Sequence, residues 1–478
     1  MLIQQKHGLF PRITGKGDNA RRLADLLIRM RSEVSASSSS DGAGTSGFGL
    51  TPSASLESLV IIDREVDFPT ALLTQLTYEG LIDEIFGVTS NQTEVDSSIV
   101  GAAPQPSASS SSATAPPPTS SLKRKIPLDA GTDTLYATLR DSNFAVVGPL
   151  LNKVARRLQN TYDSRNTQKT TAELRAFVQA LPGFQAEQAS LKVHTNLAEE
   201  IIKHTRTEIF TRVLEVQQNI AAGADPATQH DNIDELISRG VPLSTVLRLL
   251  CIESTMSGGI RPRELENFKR AILHAYGHQH LLTLSCLEKM GLLLPRAGTG
   301  FAGVGPRGTG TNYSNVRRNL YLIRDEVNEA EPDDIAYVFS GYAPLSIRLT
   351  QLILQKSYIS SLSNNNDRAV QATSNQTQGW RPFDDILKHV RGATFDETQT
   401  GEEKAVKAKA MLNGSGGEKT VVVFFLGGIT RAEVAALRFV SKQLKEEGRG
   451  RKIIIATTGL VKGDGIMAAA TEELSFAA

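Results

Sequence analysis

The pattern of apolar and polar positions predicts the start of a parallel β-α unit near the amino end. An apolar run at residues 59–62 stops at the charged segment Asp63-Arg64-Glu65 and is followed by Asp67. Leucines then recur at helical spacing, at positions 72, 73, 76 and 81. A buried strand that leads through charged residues into a helix is typical of parallel sheets, because crossover helices cover their faces. A second helix is predicted over residues 19–31.

The same alternation returns in the last third of the chain. Three apolar runs predict strands at residues 335–339, 420–426 and 452–457. Gly341 marks a turn, and Pro344 suits the first position of a helix. Thr430 and Glu433 predict a capping box, in which each side chain accepts a hydrogen bond from the other residue's backbone N–H. Strand, helix and strand in this order predict a parallel sheet with helices on both faces.

Helical spacing dominates the region between these blocks. Residues 139–328 show almost no strand pattern, and apolar residues recur at helical intervals, as at Leu174, Phe177, Val178 and Leu181. We therefore predict a split α/β domain with a parallel sheet, interrupted by a large all-helical insertion domain. The predicted parts are residues 1–138, 139–328 and 329–478.

Two segments have the composition of disordered loops. Residues 35–55 and 97–121 are rich in serine, with glycine in the first and proline in the second. Segments with so few apolar residues cannot bury enough surface to offset the entropy of ordering. Weaker breaks occur at 360–378 and 394–417. Such insertions are tolerated between elements of one domain, because loop-closure entropy rises only slowly with length.

Composition narrows the class of protein. The chain has 478 residues, enough for two or more domains, and a formal charge of +1, which gives no general attraction to nucleic acid or anionic lipid. Two cysteines, Cys251 and Cys286, cannot form a disulfide framework and favour a reducing compartment. No signal peptide opens the chain, and its apolar runs are too short to cross a bilayer. We expect a cytoplasmic protein that reaches membranes only through partners.

Candidate catalytic residues are few. Asp63 and Asp67 follow a strand, where α/β enzymes place catalytic groups, but no partner nucleophile or base accompanies them, so a structural role is favoured. Gly298, Gly300 and Gly303 match a dinucleotide-binding spacing without the strand and helix that it requires. The short basic runs at 123–125 and 449–452 are predicted to be solvated surface.

A metal site is not predicted either. His274 and His278 share a helix face, but the helix lacks the glutamate of a zinc-protease motif, and neither cysteine has the spacing of a metal ligand. We expect ordinary half-buried histidines. The sequence thus predicts no catalytic residue, no metal and no cofactor.

Residues 63–84, DREVDFPTALLTQLTYEGLIDE, resemble the SM family, which regulates SNARE-driven membrane fusion. The motif residues are Asp63, Arg64, Asp67 and Tyr78. Similar segments follow in the family's order at residues 173–205, 212–223, 241–260 and 421–444. Because several separate motifs match in order, the chain is identified as a non-enzymatic member of the vacuolar-sorting type, with the split domain and helical insertion of that family.

The resemblance implies a helical hairpin at about 171–223 that binds SNARE helices and favours their productive four-helix assembly. The implied contact residues are Leu174, Phe177, Val178, Leu181, Pro182, Gly183 and Phe184. Proline inside a helix costs about 3 kcal/mol and glycine about 1 kcal/mol, so the chain is expected to bend or break at Pro182 and Gly183. Such a break is either a plain corner or a hinge between a folded tip and an extended helix that offers a groove.

The resemblance also implies partners and a location. SNARE proteins are the expected ligands, and a subunit resembling vacuolar protein sorting 16 would link the chain to the HOPS and CORVET tethering complexes, on vacuole and late endosome membranes. The family begins with a whole α/β domain, whereas residues 6–31 look like the opening of the second domain. Two rivals remain: an α/β enzyme that binds a nucleotide near Asp63, Gly341 and Gly427-Gly428, or an inactive truncated product.

Overall fold

The computed structural model describes most of the chain. The described residues are 2–40, 53, 55–97, 123–164, 171–296, 310–355, 358–359, 380, 383–399, 419–448 and 450–471. The strands are β1 (Arg12–Lys16), β2 (Leu56–Asp63), β3 (Val88–Thr89), β4 (Gln92–Asp96), β5 (Lys123–Pro127), β6 (Thr394–Thr398), β7 (Lys419–Leu426) and β8 (Arg451–Thr457).

The helices precede, separate and follow these strands. They are α1 (Leu2–His7), α2 (Asp18–Ser40), α3 (Phe68–Leu72), α4 (Tyr78–Ile85), α5 (Thr134–Leu139), α6 (Phe144–Ser164), α7 (Thr171–Thr205), α8 (Glu208–Ala222), α9 (Pro226–Ser238), α10 (Leu243–Met256), α11 (Pro262–Tyr276), α12 (Leu281–Lys289), α13 (Tyr313–Asn319), α14 (Leu345–Leu354), α15 (Asp384–Leu387), α16 (Arg431–Glu446) and α17 (Gly463–Ala470). Short 3-10 helices occupy Arg64–Val66, His278–His280 and Ile335–Phe339.

The larger sheet joins the two ends of the chain. Its order is β6-β1-β2-β7-β8, and β1, β2, β7 and β8 run parallel. Leu59 of β2 pairs with Val422 of β7, so the amino and carboxyl blocks share one sheet, as the sequence predicts. The split α/β fold with a helical insertion is confirmed, while the domain boundaries at 138 and 328 stay a prediction.

Both faces of this sheet are covered. Val60 and Ile62 of β2 point into the largest apolar core, whereas Leu59 and Ile61 point into a smaller core beneath α2. This alternation explains why β2 reads as a continuous apolar run rather than as an alternating one, since a strand covered on both faces buries every side chain. The larger core also contains residues of α10, α11 and α12, so the helical insertion and the sheet share one interior.

Some predicted elements are wrong. Residues 335–339 form a buried 3-10 helix, not a strand, because Asp334 accepts a hydrogen bond from the N–H of Ala336 at 2.9 Å and starts a helical turn. A short apolar run between turn residues does not distinguish the two structures. The helix predicted after Asp67 is divided into α3 and α4, because Thr77 caps α4 and Leu76 bonds instead to the backbone of Val338.

Some segments that the sequence predicts to be loops or surface are regular helix or strand in the structure. Helix α2 continues to Ser40, into the predicted loop 35–55, because no glycine or proline lies between Arg31 and Ser40 to end it. Residues 394–398 are the antiparallel edge strand β6. The basic run 123–125 is exposed, as predicted, but it lies in β5 of a small antiparallel sheet, β3-β4-β5. Residues 98–121 and 297–309, including the glycine motif, lie outside the described residues.

Two searches of the described ranges bear on function. No helix there has both the length and the apolar character needed to cross a membrane. The same residues contain no cluster of histidine, cysteine, aspartate or glutamate side chains that could hold a metal ion.

Candidate functional site

The motif residue Arg64 is buried where β2 ends. Its Nη1 donates to both carboxylate oxygens of Glu433, at 3.0 and 2.8 Å, and its Nη2 donates to the backbone oxygen of Asp67. Glu433 belongs to the predicted capping box, which is confirmed: the N–H of Thr430 donates to Glu433 at 2.8 Å, and the N–H of Glu433 donates to Thr430 at 3.1 Å. Arg64 therefore connects the end of β2 to the first turn of α16, the helix that follows β7.

Asp67 has only structural partners. Its carboxylate accepts hydrogen bonds from the N–H of Thr70 at 3.2 Å, the N–H of Ser346 at 2.9 Å and the hydroxyl of Tyr313 at 3.3 Å. Burial raises the pKa of Asp67, against the opposing effect of Arg64. Burial alone would lower the pKa of Arg64, but the Glu433 and Asp67 carboxylates outweigh it and raise that pKa.

Asp63 caps two helices. Its carboxylate accepts from the N–H of Glu65 at 3.1 Å and from the N–H of Asn19, in α2, at 3.0 Å. Gly17 lies directly against it with φ +115°, and a Cβ on Gly17 would stand 2.2 Å from the Cβ of Asp63. The capping role that the sequence favours for Asp63 is thus observed.

The glycines of the rival nucleotide site do not form one cradle around Asp63. A Cβ on Gly427 would meet the Cβ of Arg64 at 2.8 Å, and one on Gly428 would meet the side chain of Val461. Gly341 instead lines a cavity beside α8. Asp63, Asp67 and Arg64 thus serve the packing where the strands end, as do Gly427 and Gly428, whereas Gly341 lies elsewhere.

The motif residue Tyr78 anchors the long helix α7. Its hydroxyl lies 2.9 Å from Nδ1 of His194, and Nε2 of His194 lies 3.1 Å from the carboxylate of Asp133. Ser190, also in α7, donates to Asp133 at 2.7 and 2.9 Å. With Nε2 donating to the carboxylate, the neutral ring accepts the Tyr78 proton on Nδ1. The network fastens the second half of α7 to α4 and α5.

This network lowers the pKa of Asp133. Burial opposes its ionised form, but hydrogen bonds from His194, from the N–H of Tyr136 and from Ser190 lower the pKa of Asp133 to about 2. The ring of Tyr136 stacks on His194 with centroids 5.8 Å apart. Ionised Asp133 is therefore part of what holds the helix in place.

The first half of α7 has a free surface. Among the described side chains of residues 171–190, none is buried, whereas Leu197 and Ile201 in the second half are completely buried. Helix α6 supports this half from one side, through the stacked rings of Tyr162 and Phe184 and an ion pair between Arg157 and Glu187. The result is a long helix that is anchored in its second half and whose described side chains at residues 175, 179 and 181–190 are exposed or half-buried.

Most of the predicted SNARE-binding residues lie on this exposed half. Pro182 and Gly183 are exposed, and Leu181 and Phe184 are half-buried. The side chains of three others lie outside the described part of the structure: Leu174, Phe177 and Val178. The predicted break at Pro182 is wrong, because α7 continues from Thr171 to Thr205 with the proline inside it. One missing backbone donor on an exposed face is not enough to end a helix of this length.

A second exposed surface lies on α12. Leu281 and Leu282 are 60% and 56% exposed, although Leu284 and Leu287 of the same helix pack into the core. Met290 and Leu294, which follow this helix, are also partly exposed. We call these four residues the leucine patch.

Comparison with known proteins identifies the family. The Sec1 family model matches residues 1–469. The chain belongs to the Sec1 family. Vacuolar protein sorting-associated protein 33A of Rattus norvegicus is 36% identical, with 99% of this chain and 70% of the relative covered. Vacuolar protein sorting-associated protein 33 of Schizosaccharomyces pombe is 32% identical, over 98% of this chain and 71% of the relative.

Solved structures share the fold of this Sec1 family member. The Unc18–syntaxin 1 complex from Monosiga brevicollis matches with a TM-score of 0.56 at 14% identity, covering 98% of this chain and 69% of the solved chain. The SM protein Vps45 in complex with the Qa SNARE Tlg2 matches with a TM-score of 0.54 at 17% identity. This chain spans about 65% of the length of that Vps45 chain.

The sequence did not reveal which residues bind the motif residues Arg64 and Tyr78. Arg64 pairs with Glu433 across the sheet, and Tyr78 bonds to His194, neither of which is near in sequence. The leucine patch was also missed. Leu281 and Leu282 follow the turn His278–His280 as two apolar residues at the start of a helix, and nothing in the sequence marks them as exposed, since consecutive leucines such as Leu249 and Leu250 are both buried.

Proposed function

We propose that this Sec1 family member binds SNARE proteins and regulates intracellular membrane fusion in vacuolar and endolysosomal transport. The observation that carries the proposal is that the described side chains in the first half of α7, at residues 175, 179 and 181–190, are exposed or half-buried, while Tyr78, His194 and Asp133 hold the other end of the helix. A fixed, solvent-exposed helix suits the recognition of amphipathic helices, which dock through residues spaced three and four apart. The names of the vacuolar sorting relatives and the SNARE complexes of the structural neighbours support this reading.

We propose that the protein acts as a template for SNARE assembly and catalyses no chemical reaction. Residues 174–184 would hold SNARE helices side by side in register, so that correct four-helix assembly becomes more probable than mispairing. Anchoring lowers the entropy that the surface loses on binding, which favours affinity. Proposed contacts are Leu174, Phe177, Val178, Leu181, Pro182, Gly183 and Phe184. The hydrogen bonds that Asp63, Arg64 and Asp67 make to neighbouring backbone and side-chain groups support a structural rather than a chemical role for these residues.

We further propose that the leucine patch binds a tethering-complex subunit resembling vacuolar protein sorting 16, and so connects the chain to HOPS and CORVET. Leu281 and Leu282 are adjacent exposed leucines in α12, and Met290 and Leu294 are partly exposed after this helix. Exposed apolar surface larger than a single side chain marks protein interaction sites. Membrane recruitment to vacuoles and late endosomes would then depend on this subunit and on the SNAREs.

Two substitutions to aspartate test the two proposed binding surfaces separately, one in α7 and one in the leucine patch. Leu181→Asp is expected to weaken binding of a fluorescent vacuolar Qa-SNARE helix at least tenfold, because the charge would be buried against an apolar anchor, and to leave binding of the tethering subunit unchanged. Leu281→Asp is expected to do the reverse. Titrations by fluorescence anisotropy measure both affinities. If Leu181→Asp leaves SNARE affinity at the wild-type value, the α7 surface is not the binding site; the same result for Leu281→Asp and the tethering subunit removes the patch.

A further inference from the structure

A cavity of about 260 Å³ lies between helices of the insertion. The first half of α9, the end of α10, the start of α11 and the segment after α12 form its wall. The wall contains four acidic side chains, Asp225, Asp231, Glu253 and Glu264, and two arginines, Arg261 and Arg296. No described residue of α7 or of the leucine patch lines the cavity, so it is separate from both binding surfaces proposed above.

Glu253 presents a buried carboxylate to which no described residue donates a hydrogen bond. Only 3% of its side chain is exposed, and Nε2 of His230 lies 3.9 Å from Oε1, beyond hydrogen-bond distance. Nε2 of His230 is completely enclosed and unbonded, whereas neither oxygen of Glu253 is enclosed in this way. The carboxylate can therefore be reached from the cavity that it lines. An ionised carboxylate that is buried without donors costs free energy until a cation pairs with it.

The basic side chains near Glu253 are directed elsewhere. The guanidinium of Arg296 donates to two backbone oxygens, at 3.0 and 3.2 Å. Burial lowers the pKa of Arg317 and the charge of Glu253 acts against that shift, but Nη2 of Arg317 donates to the backbone oxygen of Ile220 at 3.5 Å. Arg261 is solvent-exposed immediately before α11. Among the residues that the structure describes, no arginine or lysine forms an ion pair with Glu253.

The carboxylate of Glu253 is held in position by the helix that carries it. Ile252 and Ser254, on either side of it in α10, are buried, so the helix is fixed on more than one face. On the opposite wall, the ring of Phe268 meets the ring of His230 edge-on, with centroids 5.3 Å apart. The site is therefore preformed, which lowers the entropy that a ligand must offset on binding.

A guanidinium group matches what the cavity offers. Its planar fork of N–H donors can bond both oxygens of a carboxylate at once, and it is more weakly hydrated than an ammonium group, so it is easier to bury. The aliphatic part of an arginine side chain would pack on Ile260, which is 1% exposed, and on Ala227. Because acidic residues outnumber arginines in the wall by four to two, the local field also favours a cation.

We propose that this cavity binds the guanidinium group of an arginine side chain from a partner protein, which pairs through two N–H donors with the carboxylate of Glu253. Asp231 and Glu264, which are exposed and half-buried in the wall, attract the cation to the cavity. The aliphatic stem of the arginine lies along Ile260. The site lies wholly within the helical insertion, so it acts independently of α7.

The test uses capped arginine, acetyl-arginine-methylamide, and its neutral counterpart of the same shape, acetyl-citrulline-methylamide, with the whole chain and saturation-transfer NMR. The arginine probe is expected to bind saturably and at least tenfold more tightly than the citrulline probe, because only the guanidinium carries a charge. Ala227→Trp, at an exposed position of the wall, is expected to weaken the arginine probe at least tenfold by filling the cavity. Ala275→Trp, at an exposed alanine of α11 outside the wall, is expected to leave that affinity unchanged.

Glu253→Gln removes the charge, keeps the shape and is expected to weaken the arginine probe at least tenfold. Glu266→Gln, at an exposed position of α11 outside the wall, is the matched control and should bind the probe as the wild type does. Circular dichroism checks the fold; if Glu253→Gln does not fold, Ala227→Trp and the two probes decide the question. Equal affinity for the two probes, wild-type affinity in Ala227→Trp or in folded Glu253→Gln, or no saturable signal up to the solubility limit would overturn the proposal. None of these results depends on SNARE binding.

Discussion

Arg64 and Glu433 lie 369 positions apart in the sequence, yet Nη1 of Arg64 lies 3.0 and 2.8 Å from the two carboxylate oxygens of Glu433. Both side chains are almost completely buried, at 4% and 0% exposure. The pair joins the end of β2 to the first turn of α16. It therefore connects the parts of the sheet domain that the helical insertion separates in sequence.

Glu433→Gln should destabilise the protein by about 3–5 kcal/mol, because it removes one partner of a buried pair and leaves the charge of Arg64 poorly compensated. Urea unfolding measures the loss. The matched control is Glu446→Gln in the same helix, where the side chain is 64% exposed and its pair with Lys442 spans 3.9 Å. The control should change stability by less than about 0.5 kcal/mol. Equal effects of the two changes would contradict the role given to Arg64.

Asp133→Asn should lower stability in a pH-dependent way. The folded pKa of Asp133 is about 2, below its ordinary value of 3.8. A depressed carboxyl pKa stabilises the fold above pH 4, and that stability is lost as the pH falls from about 4 towards 2. Because the Asp133 carboxylate is partly exposed, solvent screening reduces the corresponding stabilisation near neutral pH to about 1–2 kcal/mol.

Urea unfolding of both proteins at a series of pH values measures this difference. It should be largest near neutral pH and should narrow below about pH 4. Asp163→Asn, at an exposed position of α6, is the control and should follow the wild-type pH profile. A difference that stays constant across the series would mean that the ionisation of Asp133 does not stabilise α7.

Pro182→Ala should strengthen α7 locally. The helix already runs through this position, so total helix content should change little, whereas the restored backbone donor and the lost ring clash should stabilise the helix by up to about 3 kcal/mol. Amide hydrogen exchange over residues 171–190 measures the effect as slower exchange. The hinge hypothesis makes a further prediction, tighter SNARE binding, because affinity scales with the population of the competent state. Unchanged SNARE affinity together with slower exchange would make Pro182 a structural residue only.

Nucleotides should not stabilise the protein. A ligand at a hundred times its Kd adds about 2.7 kcal/mol to the stability of the folded state. Thermal unfolding in the presence of ATP, GTP or NAD should therefore match unfolding without them, because the groups of the rival site are used in packing: Asp63 as a cap and Gly427 against Arg64. A clear upward shift with any of the three would restore the enzyme hypothesis.

The central strands were predictable because their physical signal is local. A strand covered on both faces must be apolar nearly throughout, as 59–62 and 421–426 are. The capping box was equally local, since Thr430 and Glu433 satisfy each other within one turn. The resemblance to a family placed Arg64 and Tyr78 among the important residues but did not reveal their partners.

The predictions that were wrong or incomplete concern elements that are determined largely by tertiary contacts. The 3-10 helix at 335–339 buries its apolar side chains as well as a strand would. The hydrogen bond from the N–H of Ala336 to Asp334 selects the helix over the strand. Helix α4 begins at Tyr78 because Leu76 bonds to Val338, far along the chain. The anchoring of α7 likewise required His194 to meet Asp133 in three dimensions, which no spacing rule describes.

The pairing of β2 with β7 has a consequence for the synthesis of the protein. At about 5–20 residues per second, the ribosome needs roughly 20–70 s after β2 to complete β7. Throughout that interval Val60 and Ile62 have no β7 beside them, and β2 presents an unpaired edge to other nascent chains. The helical insertion emerges before β7 and β8, so it lacks the complete sheet against which its interior packs. Production of this protein should therefore depend on chaperones that hold the growing chain until its last third is translated.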